Sequence, residues 1–194
     1  WALPSALDAA GRVAVSRVWW VRRWMVAGGT ALGSGVWAMH FIGVLALMLP
    51  MRVHYNTHLT ALSLVVAVVA SILALAQVVR GDALHRQRWL LGSALLALGV
   101  VAMHYLGMVA LMITPHPRWN VWLVALSVVV AFAASAAALW LAFHLRQGER
   151  KLLLMRALAS LVMGCAIAGM HYIGMAAASF SLDSQSASPG VSDQ

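Results

Sequence analysis

Five long apolar runs constrain this chain more than any other feature of its sequence. Each run is long enough to cross a lipid bilayer as a helix, which takes about 20 residues. The runs cover Trp24–Leu49, His58–Val79, Trp89–Ile113, Trp119–Phe143 and Leu152–Ala178. Only 9% of the residues are charged, against about 25% in a soluble domain. We therefore predict an all-α fold, a polytopic transmembrane helix bundle with five full spans.

The segments outside the spans are short. Residues 1–23 combine arginines with Trp19 and Trp20, a composition typical of an interfacial segment at the membrane surface. We expect residues 24–178 to form the membrane domain and the Ser-rich residues 179–194 to be a flexible tail. A single cysteine, Cys165, excludes an internal disulfide and a metal site with a CxxC motif.

The basic residues are concentrated on one side of the predicted spans. Of the 13 lysines and arginines, all except Arg52 and Arg118 fall in segments on the same side. This bias predicts that the basic side faces the cytoplasm. Membrane topology thereby accounts for the net charge of +8, and we expect no nucleic-acid binding.

A short motif containing histidine occurs three times in the chain. The copies are Met39-His40-Phe41, Met103-His104-Tyr105 and Met170-His171-Tyr172, each followed by an apolar residue and a glycine. His40 and His104 are 64 residues apart, and His104 and His171 are 67 apart. Ala61-Leu62-Ser63 returns as Ala125-Leu126-Ser127 at the first of these offsets. An offset of two spans preserves direction across the membrane, so we predict parallel helix-pair repeats.

The three histidines are expected at one depth in the membrane. At 1.5 Å per helical residue, each lies roughly 5 to 9 Å toward the outer surface from the centre of its span. No Asp, Glu, Lys or Arg lies at this depth. Ionisable residues within a membrane normally face the bundle interior and mark function. Hydrogen bonding between helices is the structural alternative.

Methionines and glycines accompany the histidines at helical spacing. Residues four apart share a helix face, which places Met108 beside His104 and Met175 beside His171, while Val44 occupies this position beside His40. The preceding methionines are rotated by about 100° and either close the site from the side or pack; they are Met39, Met103 and Met170. The glycine three residues after each histidine either permits close helix approach or leaves room for a ligand.

This set of side chains predicts a copper site. Thioether sulfur favours Cu(I), imidazole suits copper in either state, and the absence of carboxylates argues against magnesium, calcium and manganese. A neutral ligand set also holds a monovalent ion in a membrane at lower cost than a divalent one. The predicted metal ligands are His40, His104, His171, Met108 and Met175, with Met39, Met103 and Met170 as further candidates.

Two further expectations concern residues near the motifs. Ser63 and Ser127 fall at the estimated height of the histidines. We suggest that their hydroxyls orient the imidazoles, and packing between helices is the alternative role for a serine in a span. Cys165 lies six residues before His171 and hence on a different helix face. We expect it to be a small core residue.

The three motifs, their spacing and the repeated Ala-Leu-Ser helices resemble the bacterial MHYT domain over essentially the whole chain. The first copy departs from the pattern, with Phe41 in place of tyrosine and Val44 in place of methionine. The resemblance implies a sensor domain of the bacterial cytoplasmic (inner) membrane that binds copper and senses oxygen, carbon monoxide or nitric oxide. It also implies a cytoplasmic output domain in the full-length protein, such as a diguanylate cyclase or phosphodiesterase. Leu7–Arg12 resembles the end of the family's leading helix, which implies a further span before Trp1.

Two other functions use the same residues. A transporter or metal-handling permease would employ the His and Met side chains as a transit site, and an enzyme or haem carrier would employ paired histidines. The spans contain no nucleophile with an adjacent base and no pair of acids. We therefore expect that this chain is not an enzyme.

Overall fold

The computed structural model describes residues 2–46, 54–79, 84–114, 117–144, 151–179 and 185–186. Five helices account for most of these residues: α1 (Ala2–Ala46), α2 (Thr57–Val79), α3 (Arg86–Val109), α4 (Val121–His144) and α5 (Lys151–Ala176). Four two-residue strands complete the described fold: β1 (Ile113–Thr114), β2 (Arg118–Trp119), β3 (Ala178–Ser179) and β4 (Gln185–Ser186). The strands are only two residues long, so the prediction of an all-α fold is confirmed.

Within the described part of the chain, four helices are long and apolar enough to cross a membrane: Trp19–Ala46, Thr57–Val78, Arg86–Val109 and Val121–His144. The described apolar part of α5, Ser160–Ala176, is shorter, so the count of five spans stays a prediction. Large apolar side chains lie on the outside of the bundle, with Trp122 84% exposed and Val129 64% exposed. An apolar exterior of this extent is typical of a surface that faces lipid.

Two predicted helix ends were wrong. The third helix ends at Val109 and not at Ile113, because Leu111 forms a β-bridge with Tyr55 and Ile113 belongs to β1. The fourth begins at Val121, since Trp119 belongs to β2. Hydropathy could not distinguish these residues from the helices they follow or precede, because strand pairing depends on partners far away in the chain.

At the other end of the predicted membrane domain, α1 is continuous across the predicted boundary at residue 24. The Arg23 guanidinium lies 4.2 Å from the centre of the Trp19 ring, a cation–π contact near the start of the apolar part of α1. The predicted interfacial role of residues 1–23 stays a prediction.

The helices pack mainly against their neighbours in the chain. α2 lies against α1 and α3, α4 lies against α3 and α5, and contacts from α1 to α3 and to α5 close the bundle. We call α1, α3 and α5, which carry the histidines, the motif helices, and α2 and α4 the linking helices. The largest buried apolar cluster includes Val36, Val100, Met103 and Met170 from the motif helices and Ala67 and Leu139 from the linking helices.

Glycines let α1 approach α2 closely. A Cβ atom at Gly29 would lie 2.8 Å from the Ile72 Cα atom, and one at Gly33 would lie 2.6 Å from the Val68 Cα atom. Real Cβ atoms do not make such contacts with backbone, so only glycine allows this helix spacing. Small residues at helix interfaces serve this purpose widely in membrane bundles.

Two asparagines organise the end of the bundle where α3 and α5 finish, which we call the bridged end. Asn56 Oδ1 accepts hydrogen bonds from the backbone N–H groups of His58 and Leu59, at 3.1 Å each, and so caps α2. The Asn56 backbone N–H donates to the Ala110 carbonyl at the end of α3, at 2.9 Å. The Asn56 side chain thus caps a linking helix, while its backbone is hydrogen-bonded to the end of the next motif helix.

Asn120 repeats this arrangement at the start of α4. Its Oδ1 accepts from Trp122 N–H at 3.0 Å and Leu123 N–H at 3.3 Å, and its own N–H donates to the Ala177 carbonyl at 2.9 Å. Strand pairs add to these links: β1 pairs with β4, and β2 pairs with β3. Gln185 and Ser186, from the predicted flexible tail, are therefore paired, and most of the rest of that tail lies outside the described residues.

Candidate metal centre

The three motif histidines meet at the centre of the bundle, one from each motif helix. The Nδ1 atoms of His40 and His104 are 3.1 Å apart, those of His40 and His171 3.2 Å, and those of His104 and His171 3.3 Å. The side chains are fully buried, with exposed fractions of 0%, 0% and 1%. These residues form the group of potential metal ligands found among the described residues. The predicted convergence of the histidines is therefore observed.

The three Nδ1 atoms cannot all be hydrogen-bonded to one another. A ring nitrogen of histidine carries either a proton or a lone pair, so it either donates or accepts. Among three such atoms at least two are alike, and the contact between these two is not a hydrogen bond. This holds for every choice of tautomer and protonation state. One close N···N contact in a buried site is therefore always repulsive in the absence of a further group.

A cation at the centre of the triangle would remove this conflict. A triangle with 3.2 Å sides has its centre about 1.85 Å from each corner, which is the side divided by √3. Metal–imidazole distances are about 2.0–2.1 Å. The triangle is therefore close to the size that one ion bound by three imidazole nitrogens would need, and His40, His104 and His171 are the residues that would hold it.

Ring contacts hold the imidazoles in place. Each pair of imidazoles is in an edge-to-face arrangement, with centroids 4.9–5.2 Å apart and interplanar angles of 83–88°. Each imidazole also packs against the aromatic residue that follows it, Phe41, Tyr105 or Tyr172, at 4.8, 4.9 and 5.2 Å. Rotation of any imidazole would therefore disturb its own aromatic neighbour and the two other imidazoles.

Apolar layers enclose the histidines on both sides along the bundle axis. Toward the bridged end, Val44, Met108 and Met175 are buried in one cluster, which also contains Leu111, Ile113 and Ala178. We call this cluster the cap. On the opposite side lie Val36 and Val100, which are four residues before His40 and His104. They belong to the large buried cluster together with Met103 and Met170. The site is thus closed to water at both ends, which strengthens electrostatic interactions inside it.

The predicted methionine ligands divide between these layers. Met108 and Met175 lie in the cap, as helical spacing indicates, and Val44 completes the layer. Met103 and Met170 pack in the large cluster, whereas Met39 is half-buried beside a groove between α1 and α5. Coordination by any of these sulfur atoms stays a prediction.

Of the two roles suggested for the serines, the orientation of the imidazoles was wrong and the contact between helices is observed. Ser63 Oγ accepts a hydrogen bond from Trp37 Nε1 at 3.0 Å and donates to the Thr60 carbonyl at 2.7 Å. Ser127 Oγ donates to the Val124 carbonyl at 2.7 Å and is 3.0 Å from the Tyr105 hydroxyl. The serines therefore join motif helices to linking helices and do not orient the imidazoles.

Trp37 is a structural partner of the first motif that was not predicted. Phe41 in the first motif has no hydroxyl, and the indole N–H of Trp37, three residues before His40, supplies the missing hydrogen bond to Ser63. The change from tyrosine to phenylalanine together with an additional tryptophan one turn away was the available signal. Cys165 was also predicted wrongly, because it is exposed on α5 and not part of the core.

Comparison with known proteins supports the relationship that the motifs indicate. A profile described as "Bacterial signalling protein N terminal repeat" (MHYT) matches residues 33–92, 98–155 and 164–191. No solved structure matches the chain significantly.

Curated relatives are signalling proteins of bacteria. The chain is 48% identical over 180 residues to the bifunctional diguanylate cyclase/cyclic di-GMP phosphodiesterase MucR of Pseudomonas aeruginosa, covering 93% of the chain and 26% of MucR. It is 39% identical over 158 residues to the cyclic di-GMP phosphodiesterase NbdA of the same species, covering 80% of the chain and 20% of NbdA. The signaling protein YkoW of Bacillus subtilis is 34% identical over 165 residues, covering 82% of the chain and 20% of YkoW.

The chain thus spans about a quarter or less of the length of these relatives. The three profile matches together include more than half of its residues and all three motif histidines. The chain belongs to the MHYT family.

Proposed function

We propose that this chain is the membrane sensor domain of a cyclic di-GMP signalling protein and that it holds copper through His40, His104 and His171. The output domain would lie elsewhere in the full-length protein, on the cytoplasmic side of the bacterial inner membrane. The names of MucR and NbdA, which describe synthesis or breakdown of cyclic di-GMP, support this assignment. The sensor domain itself is not an enzyme in this proposal.

The observation that carries the proposal is the Nδ1 triangle. Its three nitrogens are 3.1–3.3 Å apart in a fully buried site, and no set of tautomers satisfies all three contacts. Burial of unsatisfied polar groups costs free energy. A bound cation accounts for why three imidazoles would be held in this arrangement.

The chemistry of the donors favours copper. Three imidazoles and no carboxylate form the group of potential ligands among the described residues, and the buried cluster toward the bridged end contains the thioethers of Met108 and Met175. Such a set suits Cu(I), while a divalent ion would bring two charges into an apolar site without a counter-charge. We include Met108 and Met175 in the cap as sulfur donors, with Met39, Met103 and Met170 as less direct candidates.

Bound copper would supply a coordination position for oxygen, carbon monoxide or nitric oxide, or a one-electron redox change. The chain's own residues would pass a shift of the histidines to the bundle. His40 and His104 lie on helices that are tied to their linking helices through Trp37–Ser63 and Tyr105–Ser127. A change in spacing at the centre would therefore move helix pairs and not single side chains.

The enclosed site favours retention of the metal over transport. A permease needs a path to both sides of the membrane, but the histidines have the cap on one side and the cluster with Val36 and Val100 on the other. We therefore prefer a sensor to the alternative of a metal-handling permease that would use the same residues.

Metal analysis of histidine variants tests the proposal. The purified chain, loaded with Cu(I) under anaerobic conditions and then desalted, should retain about one copper per chain, and the triple variant His40→Ala, His104→Ala, His171→Ala should retain none. His144→Ala is the matched control, because His144 is exposed and its Nδ1 contacts the Trp140 carbonyl at 2.8 Å, away from the site. Full copper content in a folded triple variant would refute the proposal.

A further inference from the structure

The second ring nitrogens of the histidines have an unusual environment. The Nε2 atoms of His40, His104 and His171 are buried and have no hydrogen-bond partner. Among the described residues, these three are the buried side-chain nitrogen and oxygen atoms found without one. A buried polar atom without a partner is costly and calls for an explanation.

Each of these Nε2 atoms lies against a motif glycine of a different helix. A Cβ atom at Gly107 would collide with Nε2 of His40, one at Gly174 with Nε2 of His104, and one at Gly43 with Nε2 of His171. The pairing is cyclic, because every motif helix offers one imidazole to a second helix and one glycine to a third. None of the three glycines receives the histidine of its own helix.

Imidazole atoms are the nearest neighbours of a Cβ atom placed at any of these three glycines. A Cβ atom at Gly107 would also lie 2.8 Å from Cδ2 and 3.2 Å from Cε1 of His40, and these three ring atoms are the nearest neighbours. At Gly29 and Gly33 the nearest atoms include the backbone of α2. Close approach of helices therefore explains Gly29 and Gly33, whereas Gly43, Gly107 and Gly174 specifically make room for a ring edge.

We propose that Gly43, Gly107 and Gly174 are positioning residues that seat the Nε2 edges of His171, His40 and His104 and thereby direct each Nδ1 atom to the bundle axis. The imidazole is rigid, so fixing one edge at a glycine fixes the direction of the opposite nitrogen. The metal ligands of the proposed function are then the Nδ1 atoms, with the proton on Nε2. The consequence for copper rests on the proposed function, while the seating itself does not.

The variant Gly107→Ala tests the seating directly. The added methyl group should displace His40 directly, and copper affinity should fall by at least about 10-fold. X-ray absorption of the copper-loaded variant should show fewer coordinating imidazoles than the parent chain.

Gly169→Ala is the matched control, because no atom other than its chain neighbours and the backbone of its own helix lies within 4 Å of the position of its Cβ. Gly169 directly precedes the third motif and, like Gly107, lies on a motif helix, in this case α5. It should keep the parent affinity, and its thermal midpoint should be equal or higher because alanine favours helix. Equal copper affinity and coordination in the Gly107→Ala and parent chains would overturn the proposal.

Metal-free stability separates this inference from copper binding. Overpacking in Gly107→Ala should lower the thermal midpoint of the metal-free chain by roughly 2–10 °C. His40→Ala should restore that midpoint in the double variant, because it removes the ring that the methyl group meets, whereas His104→Ala should not. If Gly107→Ala alone does not fold, we expect the double variant with His40→Ala to fold.

The possible results distinguish the two proposals. Rescue by His40→Ala in a chain that binds no copper would support the seating and reject the copper site. Equal rescue by His104→Ala, or no rescue by His40→Ala when His40→Ala alone folds, would reject the seating even if the parent chain binds copper.

Discussion

The two ring nitrogens of each motif histidine have different surroundings. Nδ1 faces the other imidazoles at 3.1–3.3 Å, and Nε2 faces a glycine. Replacement of one histidine therefore removes one donor and also leaves an empty space beside a glycine on another helix. Asparagine or glutamine would not restore the site, since neither offers an aromatic nitrogen at the same position.

The hydrogen bond between Tyr105 and Ser127 provides a test at the residue scale. Tyr105→Phe and Ser127→Ala each remove it, so the loss in the double variant should be smaller than the sum of the single losses. The coupling should be about 0.6 kcal/mol and no more than about 1.7 kcal/mol, the range for such bonds in membrane bundles. Unfolding of the three variants in detergent measures it.

Tyr172→Phe is the control for this prediction. Tyr172 is 51% exposed. Removal of its hydroxyl should change the free energy of unfolding by less than removal of the Tyr105 hydroxyl does. Strictly additive effects of Tyr105→Phe and Ser127→Ala would contradict the assigned bond.

The sequence predicted the height of the side chains better than their direction. Helical rise placed the histidines, Ser63 and Ser127 at similar depth, and all five side chains are buried. The direction of each side chain depends on the rotation of its helix, which is set by packing. The serines are therefore hydrogen-bonded to Trp37 and Tyr105, although hydrogen bonds to imidazoles had been suggested. For the same reason Cys165 lies outside the core.

At the scale of elements, the asparagine caps connect the linking helices to the motif helices. Asn120→Ala should lower the free energy of unfolding by about 1 kcal/mol, because the Trp122 and Leu123 N–H groups lose their acceptor. Asn120→Asp keeps an acceptor at the same place and should lose less. Thermal unfolding in detergent tests this, and equal losses in the two variants would exclude the capping role.

The helices were more predictable than the connections between them. Apolar length located α2 within one residue, since the prediction was His58–Val79 and the helix is Thr57–Val79. The bridged end was not predicted, because its strands join residues that are distant in the chain, such as Trp119 and Ala178. The repeated asparagines, Asn56 and Asn120, carry the same 64-residue offset as His40 and His104 and were a usable signal.

At the scale of the whole molecule, one small site joins all three motif helices. A groove of about 310 Å³ lies between α1 and α5 and is lined by Gly35, Met39 and Gly164 among other residues. At the histidine layer, α1 and α5 are in contact through His40 and His171 and through Gly43 and His171. A change in the spacing of the histidines would therefore move all three motif helices.

X-ray absorption of the chain loaded with one equivalent of Cu(I) tests the central claim most directly. We predict scattering from imidazole rings whose nitrogens lie about 2.0 Å from the metal, from three rings in the parent chain. The triple histidine variant should give no such signal. Copper coordinated without imidazole, or an unchanged spectrum in the triple variant, would contradict the account.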